Sequence, residues 1–384
     1  MEPPIRSEAQ LQQRQQRGDL RVRRASAYRR LVRQEGLEAA FASTDVVVAA
    51  DAVFTDQASL HLSLGPSDPP IRLHSVQLGG VSGLASGGSG ELVLPIGGGL
   101  ADPDRLSGAT VLDQLLAGQT LPLDASGEAT PLHPRRELHT DLNLERIGAG
   151  RLLLHRAIVE NGVVAVSSAP GVCHSPFGPL LGPFTTGLYS CGGAGSIGLT
   201  MPALSLLGPG SPVLVAGCIG WVMGSGSGHQ PSPRRQASGH ATTPGAAVAV
   251  AVDLHGLDRR WLRAAHFEGH GGALLVAIAA PVPLLHLDGA RQAAAGASEL
   301  AATVLDLALP RRVKPAFGRV SYAELTQGSF RLRDRPVRCA PAHSPRLAEE
   351  IAQQLLEALP AGRFPLRLPS RALGSRSAQL PLDP

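Results

Sequence analysis

Lysine is nearly absent from this chain: of 35 basic residues only Lys314 is a lysine, and the rest are arginines. So one-sided a choice reads as codon composition rather than selection for guanidinium chemistry. Aromatic residues make up 3% of the chain, so any core must be built from Leu, Val and Ala. The four cysteines, Cys173, Cys191, Cys218 and Cys339, have no CxxC spacing and no secretory signal before them. That excludes a disulfide framework of the secreted kind. No apolar run reaches the ~18 residues of a membrane span, because glycine, proline or charge interrupts each candidate. The start, MEPPIRSEAQ, has the pattern of neither a signal nor a transit peptide, and a cytoplasmic protein without membrane contact is expected. Neither a GxSxG elbow nor a Walker phosphate loop occurs.

What the chain has in quantity is glycine (45) and proline (32), spread between apolar runs rather than gathered in a tail. This implies many turns and close backbone approaches, not disorder. Arg14, Arg17, Arg21, Arg23, Arg24, Arg29, Arg30 and Arg33 cluster near the start. With only Tyr28 interleaved, a solvated helix face is favoured over a nucleic-acid surface, and no nucleic-acid partner is expected.

Ser7 and Gln10 form a capping-box pattern and Gly18 a stop, which predicts a helix over 8–17; a second is predicted over about 26–35. Buried or half-buried strands are predicted at 45–53, 60–64, 152–154, 163–166, 246–252 and 273–279, the last closed by Pro281 and Pro283. A short helix is expected near 111–116. A hairpin follows at 330–339, and then a helix opening at Ser344-Pro345 with Leu347, Ile351, Leu355 and Leu359 on one face. The expected class is mixed α/β (α+β): a strand-rich, Gly/Pro-punctuated core with peripheral helices at both ends. The expected organisation is an N-terminal helical segment (1–42), a core domain (43–310) and a C-terminal hairpin and helix packed on it (311–384).

Candidate chemistry is sparse. Gly193–Gly198 satisfies GxGxxG, but Pro202 falls where a dinucleotide-binding helix would continue. His266 and His270 are four apart, yet Gly269, Gly271 and Gly272 argue against a helix that would pair them on zinc. Arg135 and Arg136, beside Glu137, suit a substrate carboxylate as well as a surface ion pair. Cys218 sits in an apolar strand and reads as inert. Cys191, flanked by Ser190 and Gly192-Gly193, is the better reactive thiol. The run Val213–Pro231 passes from apolar strand through glycines to His229 and Gln230, a polar pair that could serve a site.

Several phrases in order resemble the homocysteine biosynthesis (sulfur-incorporation) family over nearly the whole chain. They are Gly65-Pro66-Ser67-Asp68-Pro69-Pro70-Ile71, Pro134-Arg135-Arg136-Glu137-Leu138, Ser167-Ser168, Gly226–Pro231, Trp261-Leu262-Arg263 and Phe267–Gly271. The resemblance implies sulfur transfer to aspartate semialdehyde or a similar small carboxylate-bearing aldehyde, in the branch leading to methionine. It also implies no cofactor on this chain itself, an iron–sulfur (ferredoxin-like) partner protein, and room for a homo-oligomer. Under it Cys191 carries sulfur and His229 is the acid or base. Arg135, Arg136, Glu137, Ser168, Ser190 and Gln230 bind substrate. The family's own thiols are expected near Thr55-Asp56-Gln57 and at Leu132-His133, where this chain has none. A protein that binds a metabolite without catalysis is the alternative, since only a thiolate accepts and passes on sulfane sulfur.

Overall fold

The computed structural model describes residues 5–85, 90–100 and 104–382. Residues 1–4, 86–89, 101–103 and 383–384 lie outside them. The class is mixed α+β and strand-rich, with helices at the periphery, as the sequence suggested. Among the described residues two main sheets carry it, one of 14 strands and one of six.

The large sheet is built around the antiparallel pair Val46–Thr55 and Gly271–Pro283. The second strand is buried along its whole length, which its Ala/Leu/Val/Ile composition permits. Pro281 and Pro283 were expected to end it, yet both pair in register with Val48 and Val46. The amide of Leu284 donates to the Asp45 carbonyl, so by alternation the nitrogens of 281 and 283 point away from that neighbour. On their other side the strand Pro212–Val215 pairs only as far as Ala279. Two prolines therefore cost no ladder bond there.

The long strand Ile147–Val159 belongs to the same sheet. At Glu160-Asn161-Gly162 the chain leaves it and enters the second sheet as Val163–Val166. That strand lies between Ala301–Asp306 (parallel) and Thr186–Tyr189 (antiparallel). The C-terminal hairpin Ser329–Leu332 and Arg335–Pro341 completes this sheet. Its turn residues Arg333 and Asp334 both have positive φ (46° and 63°), the geometry that matches strand twist. Each sheet has its own apolar core.

The helices expected at the start are Glu8–Arg17, with Ser7 and Gln10 capping each other and Gly18 left-handed at φ 75°, and Ala25–Glu35. Their arginines are not merely a solvated face. Arg14, Arg21 and Arg6 converge on Asp45, which is fully buried at the head of strand Val46–Thr55. The Arg6 guanidinium also donates to the carbonyls of Phe41, Thr44 and Leu284. Burial is the largest influence and works to raise the Asp45 pKa, but the hydrogen bonds and charge of Arg21, with a hydrogen bond from Arg14, together outweigh it and hold the carboxyl below its usual range. The last helix, Pro345–Ala358, lays Ile351, Ala352, Leu355 and Ala358 on the pair of central strands.

Candidate functional site: a cavity at the junction of the two sheets

Where the chain crosses between sheets the two cores do not close on each other, and a cavity of about 270 Å³ remains. One wall is the end of strand Val46–Thr55 with Asp56 and Gln57. Opposite lie Arg156–Val159, Asn161 and Gly162. Ser190 and Cys191 come from the second sheet, and Phe177 and His270 from the rim.

Asn161 organises the crossing. Its amide nitrogen donates to the carbonyls of Ala241 (2.7 Å) and Ala301 (3.0 Å), and its oxygen accepts from the Gly162 amide and the Tyr322 hydroxyl (2.5 Å). No glycine substitute fits next door, because a Cβ on Gly162 would stand 2.6 Å from Cβ of Cys191. Gly193, at φ 74°, is pressed on the Tyr322 ring. The loop holding Cys191 is thus fixed from two sides.

Cys191 is 7% exposed, and its sulfur accepts from the Gly193 amide at 3.4 Å. Burial and then the Asp51 charge push its pKa up; the Ser196 hydroxyl, the Gly193 amide and Tyr322 oppose them. At neutral pH it is a thiol. Asp51 keeps some solvent contact through the cavity but is otherwise enclosed by protein. Burial raises its pKa to about 6, against the Ile197 amide, which donates to Oδ2 at 3.0 Å. A carboxyl that titrates so near neutrality can both hold and release a proton.

Arg156 projects from an apolar strand into the same space. Burial lowers its pKa, with Asp56 acting in the opposite sense, and its guanidinium makes no hydrogen bond among the described residues. Asp56 is instead taken by His270, 3.0 Å from its Oδ2. Among the described residues no group of three His, Cys, Asp or Glu side chains converges to hold a metal ion.

Of the residues singled out from the sequence, Cys191 and Ser190 line this cavity; Ser190 Oγ accepts from the Val163 amide at 3.1 Å. The others lie elsewhere. Arg135, Arg136 and Glu137 enter the last strand of the large sheet, where Arg135 bridges to Ile71 and donates to the Glu137 and Asp68 carbonyls. The Gly65–Ile71 and Pro134–Leu138 phrases therefore meet in space, away from Cys191. His229 is buried with both ring nitrogens committed, Nδ1 accepting from the Ala247 amide and Nε2 donating to the Gly374 carbonyl. That leaves no free lone pair for proton transfer. Gln230 is tied by its amide to Gly245, and the Ser168 amide donates to Asp306 at 3.1 Å. Asp51 and Arg156 were not picked out in advance; His270 had been weighed only for a zinc pair with His266, and Asp56 only as the neighbourhood of a family thiol. A charge inside an apolar run, as in DVVVAADAV and LLLHRAIV, was the available signal.

The raised pKa of Cys191 has a measurable consequence. Its alkylation by iodoacetamide should keep climbing with pH after an ordinary thiol, half ionised at about 8.5, has become fully ionised and levelled off. Asp51→Asn removes the second cause of the shift, so labelling at a fixed mildly alkaline pH should be faster than in the parent. Identical pH profiles, read by peptide mass spectrometry, would dissociate Asp51 from the thiol.

Fold and site together define a strand-rich α+β protein in which a thiol shares a cavity lining with an unpaired guanidinium and a carboxyl poised near neutrality. The chain belongs to the family of homocysteine biosynthesis enzymes, sulfur-incorporation, which it matches over residues 21–366. It is 28% identical over 346 residues to the L-aspartate semialdehyde sulfurtransferase of Methanosarcina acetivorans, covering 89% of this chain and 67% of that protein. To the L-aspartate semialdehyde sulfurtransferase of Methanocaldococcus jannaschii it is 25% identical over 368 residues, covering 91% of this chain and 69% of that one. No solved structure matches. No helix among the described residues is long and apolar enough to cross a membrane.

Proposed function

We propose that the chain transfers sulfur to aspartate semialdehyde or a similar small carboxylate-bearing aldehyde, with Cys191 as sulfur carrier. The observation that supports this reading is the meeting in one cavity of a thiol, an unpaired Arg156 and Asp51. Thr55–Gln57, where the family resemblance leads one to expect a thiol, line the same cavity. Cys191 thus presents sulfur to the volume that such a thiol would serve.

In this reading Asp51 takes the Cys191 proton, and the thiolate attacks the outer sulfur of a persulfide donor. The donor's S–S bond breaks, its thiolate leaves, and Cys191 becomes a persulfide. Arg156 holds the substrate carboxylate. The outer sulfur then adds to the aldehyde carbon while Asp51 protonates the oxygen. Two electrons and two protons cleave the resulting disulfide, returning the Cys191 thiol and releasing a gem-hydroxythiol. Loss of water and two further electrons with two protons give the product thiol. The four electrons come from outside, and an iron–sulfur carrier protein is the proposed source.

The buried, neutral thiol favours a second reading, a metabolite-binding protein without sulfur chemistry. Purified protein given a persulfide donor, a low-potential reductant and aspartate semialdehyde should form homocysteine. Arg156→Gln should raise KM by roughly 10- to 100-fold, the worth of charged hydrogen bonds to a carboxylate. No product from the parent, beside an active relative as control, would leave only the binding reading.

A further inference from the structure

Behind the Cys191 loop is a second cavity of about 210 Å³, and Asp51 belongs to the lining of both. Two groups in the lining of the second are unsatisfied. Arg29 extends from helix Ala25–Glu35 with its Nη1 buried and unpartnered; Nη2 makes one bond, 3.2 Å to the Ala194 carbonyl. No carboxylate offsets its charge, and burial with nearby Arg33 brings its pKa down to about 10. Ser196, 3% exposed, has a hydroxyl without a hydrogen bond of good geometry. His343 gives Nδ1 to the Tyr189 carbonyl at 3.3 Å, and burial keeps the ring neutral.

The remaining charges fix what could enter. Arg24 and Glu349 at the rim pair with each other and cancel. Inside remain one cation, Arg29, and one anion, Asp51. A simple oxyanion would satisfy the first and be repelled by the second; a simple amine would do the reverse. A ligand carrying both charges a few bonds apart satisfies both and brings in no net charge.

We propose that this second cavity binds a small zwitterionic α-amino acid, its carboxylate on Arg29 and its ammonium on Asp51, with the Ser196 hydroxyl as an additional partner. Asp51 then couples the two cavities: an ammonium held on its far side keeps it ionised and unavailable as proton donor on the Cys191 side. That coupling rests on the proposed role of Asp51 in sulfur transfer, whereas the binding itself does not.

The test is calorimetric titration with L-homoserine, a stable small amino acid, against the parent, Arg29→Gln and Arg156→Gln. The parent should bind one molecule in each cavity. Arg29→Gln should weaken one of them by about tenfold or more, and Arg156→Gln the other. Asp51→Asn should weaken the Arg29-dependent event. Ala348→Leu, which fills the second cavity and leaves every charge in place, should abolish that event even if Arg29→Gln fails to fold. Propionate and ethylamine, each with half of the charge pair, should bind the second cavity at least about tenfold more weakly than homoserine. Binding indifferent to both Arg29→Gln and Ala348→Leu would overturn the inference and leave the Arg156 cavity standing. Binding sensitive only to those two would support it and count against Arg156 as an anchor. Sulfate matching homoserine in the second cavity, unaffected by Asp51→Asn, would overturn the amino-acid assignment.

Discussion

Cys191→Ser is expected to lower homocysteine formation by about three orders of magnitude or more, the scale seen when a covalent nucleophile is removed. Serine keeps the size and the contact with the Gly193 amide, and the site is closed on both sides by Gly162 and Tyr322. The fold should therefore survive, as an unchanged thermal transition would show. What serine lacks is the ability to accept and release sulfane sulfur. The same substitution at Cys218, whose sulfur packs against Gly256 far from the cavity lining, should leave the rate within a factor of about two, as surface and satellite positions do. Equal losses at both positions would point to general destabilisation in place of sulfur relay.

Asp45→Ala carries the largest expected change in stability, a loss of about 3 kcal/mol, at the lower end for breaking a buried ion pair. The lower end applies because Arg14 and Arg21 are each about 40% exposed and can rehydrate, while Arg6, 10% exposed, cannot. The sign of the pH effect follows from the depressed Asp45 pKa. The stabilisation is full above the unfolded carboxyl value of about 3.9 and is lost as pH falls through the lower folded value. Denaturant unfolding of parent and variant should thus differ most at neutral pH and converge in strong acid. A pH-independent difference would show that Asp45 acts by packing alone.

Much of the fold was legible from local rules. Ser7 with Gln10 and Gly18 marked both ends of one helix, and continuous Val/Ala runs marked the strands at 46 and 163. The prolines at 281 and 283 misled, because whether a strand tolerates proline depends on which edge faces a partner, and that is set by strand order. The site was half legible. Cys191 announced itself through its small neighbours, and Ser190 came with it. Arg156 and Asp51 did not, since a charge within an apolar strand looks the same in sequence whether it is paired, as Asp45 is, or free, as Arg156 is. His229 looked like a free polar group at a glycine turn because the carbonyl that binds it, Gly374, lies 145 residues further on. The Arg135–Glu137 cluster, picked out for a substrate carboxylate, stands at the end of the large sheet, outside the lining of the cavity that holds Cys191.

The central claim is that sulfur passes through Cys191. Its most direct test is to treat the purified protein with a persulfide donor, digest it without reductant, and map added sulfur over the four cysteines by mass spectrometry. One extra sulfur atom should be found on the Cys191 peptide and vanish when reductant and aspartate semialdehyde are added, with homocysteine appearing in the same sample. An unmodified Cys191 peptide, whether or not Cys173, Cys218 or Cys339 takes up sulfur, would contradict it.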